Sequence, residues 1–101
     1  MDRQTPQHVG ILPLGQVKNL GPKSAQWLAA IGIHTLADLE DAGAVQCYQR
    51  LRAKGLPASL NLVYAIEAAL RGLHWQALPA GVKDGLRQQV AEARKRAAGK
   101  P

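Results

Sequence analysis

Ser59-Leu60-Asn61-Leu62-Val63-Tyr64-Ala65-Ile66-Glu67-Ala68-Ala69-Leu70-Arg71-Gly72 is the longest apolar segment of the chain. Leu62, Val63, Ile66 and Leu70 recur at helical spacing, and alanines occupy several of the positions between them. Ser59 is a favoured N-cap and Gly72 a favoured helix stop. The segment therefore reads as a helix that is apolar on most sides, the central one of its fold. Glu67 and Arg71 stand four residues apart, the spacing of an ion pair along a helix.

Upstream, Leu56-Pro57-Ala58 reads as a linker, and Gly55 as the stop of a helix over roughly Val45 to Lys54. Thr35 reads as the N-cap of a shorter helix, with Asp38 in the capping-box position. That helix buries Leu36 and Leu39 and stops near Gly43. Ahead of it, Ala25, Leu28, Ala29 and Ile31 form the apolar stripe of a helix that Pro22 begins and Gly32 ends. Val17 and Leu20 face inward from about one helical turn over Gln16 to Leu20. Downstream, Pro79 opens a last helix through about Ala97, with Val82, Leu86, Val90 and Ala93 inward. Trp27 and Tyr64 fall on apolar stripes and are assigned to the core, and Trp75 is expected to lid it.

Composition supports an all-α reading. The chain has 101 residues, 47% of them hydrophobic, enough for one small domain. Leu and Ala dominate that fraction, Val and Ile are sparse and Phe is absent, which suits close-packed helices better than a sheet. The expected fold is a compact bundle of five to six short helices over residues 16–98. Residues 1–15 are read as a loosely ordered arm held at Val9, Ile11 and Leu12, and residues 99–101 as a tail.

Several functions are disfavoured. A single cysteine, Cys47, forbids an intramolecular disulfide and a four-cysteine zinc site. His34, Cys47 and His74 are far apart and lack local ligand pairs, so no metal or other cofactor is expected. No apolar run approaches a membrane span, and the polar start lacks a signal-peptide pattern, so a cytoplasmic location is expected. Glu67 has no paired carboxylate, Ser24 and Ser59 have no base beside them, and no phosphate-binding fingerprint is present. The chain is read as a non-enzyme without a small-molecule substrate.

Charge gives a positive indication. Thirteen Lys and Arg against seven Asp and Glu leave a net charge of +6. Residues 79–101 hold six basic side chains and two acidic ones, with Arg94, Lys95 and Arg96 in a row. Such an end can complement the helix dipole or attract phosphate.

Val17-Lys18-Asn19-Leu20-Gly21-Pro22-Lys23-Ser24-Ala25 resembles a helix-hairpin-helix motif. Asn19 takes the turn position and tolerates left-handed backbone, Leu20 plugs the turn into the core, and Gly21 allows close approach to the backbone. Pro22 starts the second helix, whose first amides, with Lys23 and Ser24, could receive an anion. A hairpin of this kind reads phosphates rather than base sequence, and the same turn can equally serve only as packing or as a protein contact.

Over about sixty residues, from Val17 to about Leu78, the resemblance is wider. Leu20-Gly21-Pro22-Lys23-Ser24-Ala25-Gln26-Trp27, Gly32-Ile33-His34-Thr35-Leu36-Ala37-Asp38-Leu39, the Ser59 to Gly72 segment and His74-Trp75 are similar to the C-terminal domain of the TfoX/Sxy family. Members of that family regulate bacterial competence genes and carry an α/β domain ahead of this one. The resemblance implies an all-helical domain of helix-hairpin-helix character, expected here as a stand-alone copy. The resulting expectation is a regulatory module touching DNA phosphates through Asn19, Gly21, Lys23 and Ser24, aided by Arg94, Lys95 and Arg96. The alternative is a protein-interaction or homodimerisation module in which the turn only packs.

Overall fold

The structure, a computed structural model, describes Leu14, Val17 and residues 19–98. Five α-helices follow in order: α1 Pro22–Ala30, α2 Leu36–Ala42, α3 Ala44–Ala53, α4 Leu60–Arg71 and α5 Ala80–Ala98. A 3-10 turn, η1 Trp75–Ala77, links α4 to α5. The described residues contain no strand. The fold is all-α, as the Leu- and Ala-rich composition predicts.

Local chemistry sets the helix ends. Ser59 Oγ accepts from the Leu62 amide and caps α4. Thr35 Oγ1 accepts from the Asp38 amide, while the Asp38 carboxylate accepts from the amides of Thr35 and His34. This reciprocal box fixes the start of α2. Helices α1, α3 and α4 close alike. At α4 the Leu73 amide donates to Ala68 O and the Gly72 amide to Ala69 O, with Gly72 at φ +69°. That left-handed conformation costs glycine nothing and strains any residue with a Cβ.

Helices α3 and α4 pack together at the centre, α5 lies against both, α2 packs on both, and α1 leans on α3. Leu28, Leu39, Leu51, Val63, Ile66 and Cys47 are fully buried. Full burial of one such aliphatic side chain contributes about 1.5–3 kcal/mol. No polar or charged side chain is buried among the described residues, so the core itself is apolar. Leu14 also belongs to it, at 2% exposure, although it ends the stretch read as an arm. Val9, Ile11, Leu12, Gln16 and the tail lie outside the described residues.

Of the expected hairpin, α1 is the second helix; the helical turn expected over Gln16 to Leu20 falls partly outside the described residues. The Val17 amide donates to Leu14 O and the Leu20 amide to Val17 O, which makes two successive turns ahead of α1. Trp75 is not a lid: it is 46% exposed, because η1 directs Leu78 into the core instead.

Candidate nucleic-acid interface

The turn before α1 is shaped by Asn19. Its φ is +75°, the one left-handed non-glycine residue among those described. The side chain does more than tolerate that conformation. Nδ2 donates to Leu73 O at 2.7 Å, and Oδ1 accepts from the Trp75 amide at 3.0 Å. Asn19 therefore stitches the turn to the connection between α4 and α5. Its amide group is engaged internally, so Asn19 positions the turn and is not a donor available to an anion.

Gly21 continues in extended backbone and acts as N-cap of α1. It is exposed, and a Cβ placed on it would meet nothing within 4 Å. No side chain caps the helix start among the described residues, and its first turn has no acidic residue. Lys23 is exposed, with Nζ 5.5 Å from the centre of the Trp27 ring, while Ser24 is half-buried. This corner can accept an anion by the positive end of a helix, a lysine and unhindered backbone.

Arg94, Lys95 and Arg96 lie near the end of α5, which packs on α3 and α4. All three are exposed. Arg94 and Arg96 also line an open cleft of about 540 Å³ between α3 and α5, opposite Tyr48 and Arg52. Arg52 lies 5.9 Å from the centre of the Tyr48 ring and donates to Ala58 O at 3.3 Å. Thus the residues assigned to nucleic-acid contact fall into two groups, one at the turn and one near the end of α5, where Arg94 and Arg96 but not Lys95 line the cleft. Sequence reading missed Arg52, since no local pattern places α3 against α5.

Other candidate chemistry stays apart. Among the described residues no three His, Cys, Asp or Glu side chains come close enough to hold a metal ion. His34 is exposed and Cys47 buried, while His74 Nδ1 accepts from the Gln76 amide. Burial pushes the Cys47 thiol up to about 11, a nearby Arg50 opposing the shift. Glu67 pairs with Arg71 at 2.8 Å, the expected bridge along α4. No described helix is long and apolar enough to cross a membrane.

Among curated proteins none matches the chain. Two crystal structures from Listeria monocytogenes share the fold. A triclinic form of an uncharacterized protein is 28% identical with a TM-score of 0.70, covering 74% of this chain and 85% of that one. A tetragonal form of a protein of unknown function is 26% identical with a TM-score of 0.73, covering 78% and 96%. The family model of the TfoX C-terminal domain matches residues 13–90, from just before the Asn19 turn to the middle of α5. With most of its length so matched, the chain belongs to the TfoX C-terminal domain family.

Proposed function

We propose that this domain is a non-enzymatic regulatory module that contacts the phosphate backbone of DNA without sequence preference. The observation that carries the reading is the open corner at Gly21: exposed extended backbone, no obstruction within 4 Å of its Cβ position, and Lys23 exposed beside it. Lys23 and the α1 amides are the contacts, Ser24 adds a hydroxyl, and Asn19 holds the turn in shape. Arg94, Lys95 and Arg96 raise the local attraction for polyanions from another side of the domain. Competence regulation belongs to this same reading by the family resemblance, and a cytoplasmic setting by the polar start and the absence of a long apolar run. The matched family is not a known enzyme family, in keeping with a binding role.

Titration of a fluorescent duplex at two salt concentrations tests it. Binding should weaken steeply as salt rises and should not depend on sequence. Lys23→Glu should weaken it further. No binding at low salt, or a variant that binds as well as the parent, removes the reading.

Trp75 favours a second reading. It is the one large apolar side chain exposed among those described, and its backbone is tied down by Asn19. A fixed, solvent-facing indole is a suitable anchor for a protein partner or a second copy. Light scattering of the parent and of Trp75→Ala separates these cases: a dimer that the variant loses supports self-association through this face, and a monomer in both excludes it.

A further inference from the structure

We propose that the cleft between α3 and α5 is a phosphate-binding site, with Arg52, Arg94 and Arg96 as its ligating side chains. It goes beyond the proposed function, in which Arg94 and Arg96 only attract polyanions at a distance, by joining them with Arg52 of α3 in one cleft.

Three observations carry it. First, the cleft gathers charge of one sign. Its lining comprises Tyr48, Gln49, Ala53, Ala93 and Ala97 with the three arginines, and contains no carboxylate. The nearest acidic residue along α5, Glu92, forms no ion pair within 4 Å among the described residues, and Asp84 is occupied by Arg87. Like charges collected around a concave surface repel one another, and an anion removes that repulsion.

Second, the charges are guanidiniums on an apolar floor. Alanines from both helices form the floor, and Tyr48, only 4% exposed, underlies it. A planar guanidinium presents paired donors that match phosphate oxygens, and it loses less hydration than an ammonium when it binds. Arg52 is held over Tyr48, and one Nη1 hydrogen bond to Ala58 O leaves its other donors for a ligand. This orientation is set before any ligand arrives.

Third, the cleft continues. A second lobe shares Tyr48, Arg52 and Arg94 and extends past Ser59 to Arg87. Arg87 and Arg94 are seven residues apart, about 10 Å along α5 and on the same face. Arg52 and Arg94 thus stand where the two lobes join, with room on either side for more than one phosphate. Tyr48 is too covered to stack on a base, so the recognised chemistry is the phosphate and not the nucleobase.

The phosphates could be carried by a nucleic-acid strand or by a free polyphosphate, and two probes distinguish these sources. Inorganic tripolyphosphate and a short DNA duplex are titrated into the ¹⁵N-labelled protein at low salt. Tripolyphosphate is expected to shift the amides of Arg52, Ala53, Ala93 and Arg94, and to do so equally in Lys23→Glu, whose Gly21 corner has lost its cation. Arg94→Glu should weaken it about tenfold or more, the size of one lost charge-assisted contact. The Arg94 side chain makes no hydrogen bond among the described residues, so this variant is expected to fold; Arg52→Lys, which keeps the charge, should weaken binding less. If only the duplex produces the cleft shifts, and Arg94→Glu abolishes them, the phosphates belong to nucleic acid. Absence of cleft shifts with both probes, or shifts that Arg94→Glu leaves unchanged, overturns the proposal. Lys23→Glu separates the two sites: it should leave the cleft shifts intact, and loss of duplex binding in Lys23→Glu but not in Arg94→Glu, together with no cleft shifts from tripolyphosphate, overturns the cleft while the Gly21 corner stands.

Discussion

Asn19 Oδ1 accepts the backbone N–H of Trp75 across 56 residues of sequence, at 3.0 Å. The Nδ2 group of the same side chain donates to Leu73 O at 2.7 Å. One residue thus secures both the turn before α1 and the segment between α4 and α5. Glycine would accept the left-handed backbone equally well but could not make either bond.

Replacing Asn19 separates the two roles. Asn19→Gly keeps the backbone and loses both tethers, a cost of about 1–2 kcal/mol for two hydrogen bonds of which one is partly buried and one exposed. Asn19→Ala adds backbone strain and should cost more. Urea unfolding checks this: the midpoint should fall in the order parent, Gly, Ala. A Gly variant as stable as the parent would show that the tethers contribute nothing.

Two glycines should respond to alanine in opposite directions. Gly72, at φ +69°, closes α4, and Gly72→Ala is expected to destabilise by about 1–2 kcal/mol. Gly85 lies inside α5, where a Cβ would meet nothing within 4 Å, and Gly85→Ala should stabilise by about 0.5–1 kcal/mol. For a domain of this size these changes correspond to melting shifts of about 4–8 °C per kcal/mol. Calorimetry that gave both shifts the same sign would contradict the assignment.

The Cys47 thiol should be inert in the native protein. Burial holds it up to about 11, above the ordinary thiol range, so the reactive thiolate is scarce at pH 8. Because the folded state keeps the proton longer, this group contributes stability fully below the unfolded thiol's range. That contribution is lost as pH rises toward 11. A thiol-reactive dye at pH 8 should label slowly without denaturant and rapidly in urea; rapid native labelling would contradict the burial.

Acid should loosen α2 first. The His34 amide is the main cause that lowers the Asp38 carboxyl below its ordinary range; partial desolvation opposes it, and the Thr35 amide and hydroxyl reinforce it. A lowered carboxyl stabilises the fold above its unfolded range, and that support disappears as pH falls through the folded value. Thr35→Ala removes the other half of the box and should cost about 1 kcal/mol at neutral pH. The protection factor of the Asp38 amide, its exchange relative to an unstructured amide at the same pH, should fall from pH 6 to pH 3 in the parent and change less in Asp38→Asn.

Much of the fold was legible because its signals are local. Ser59 and Gly72 bound α4 within a residue, Thr35 and Asp38 announce α2, and glycine follows α1, α3 and α4 where the chain must leave the helix. The 3-10 turn at Trp75–Ala77 carries no apolar period to reveal it, and with it went the orientation of Trp75. Of the candidate site, the Gly21 corner was readable because glycine, proline and lysine there are consecutive. The internal bonds of Asn19 were not, since its partners lie 54 and 56 positions away. Arg52 escaped for the same reason: its meeting with Arg94 is decided by how α3 rests on α5, which no window of sequence contains.

Lys23 rests above Trp27, so the cation offered at the Gly21 corner is also the roof of an indole. An anion that drew this ammonium outward would uncover the ring and change its emission. The domain thereby carries its own optical gauge of that corner, readable in Trp75→Phe, where Trp27 is the sole remaining indole.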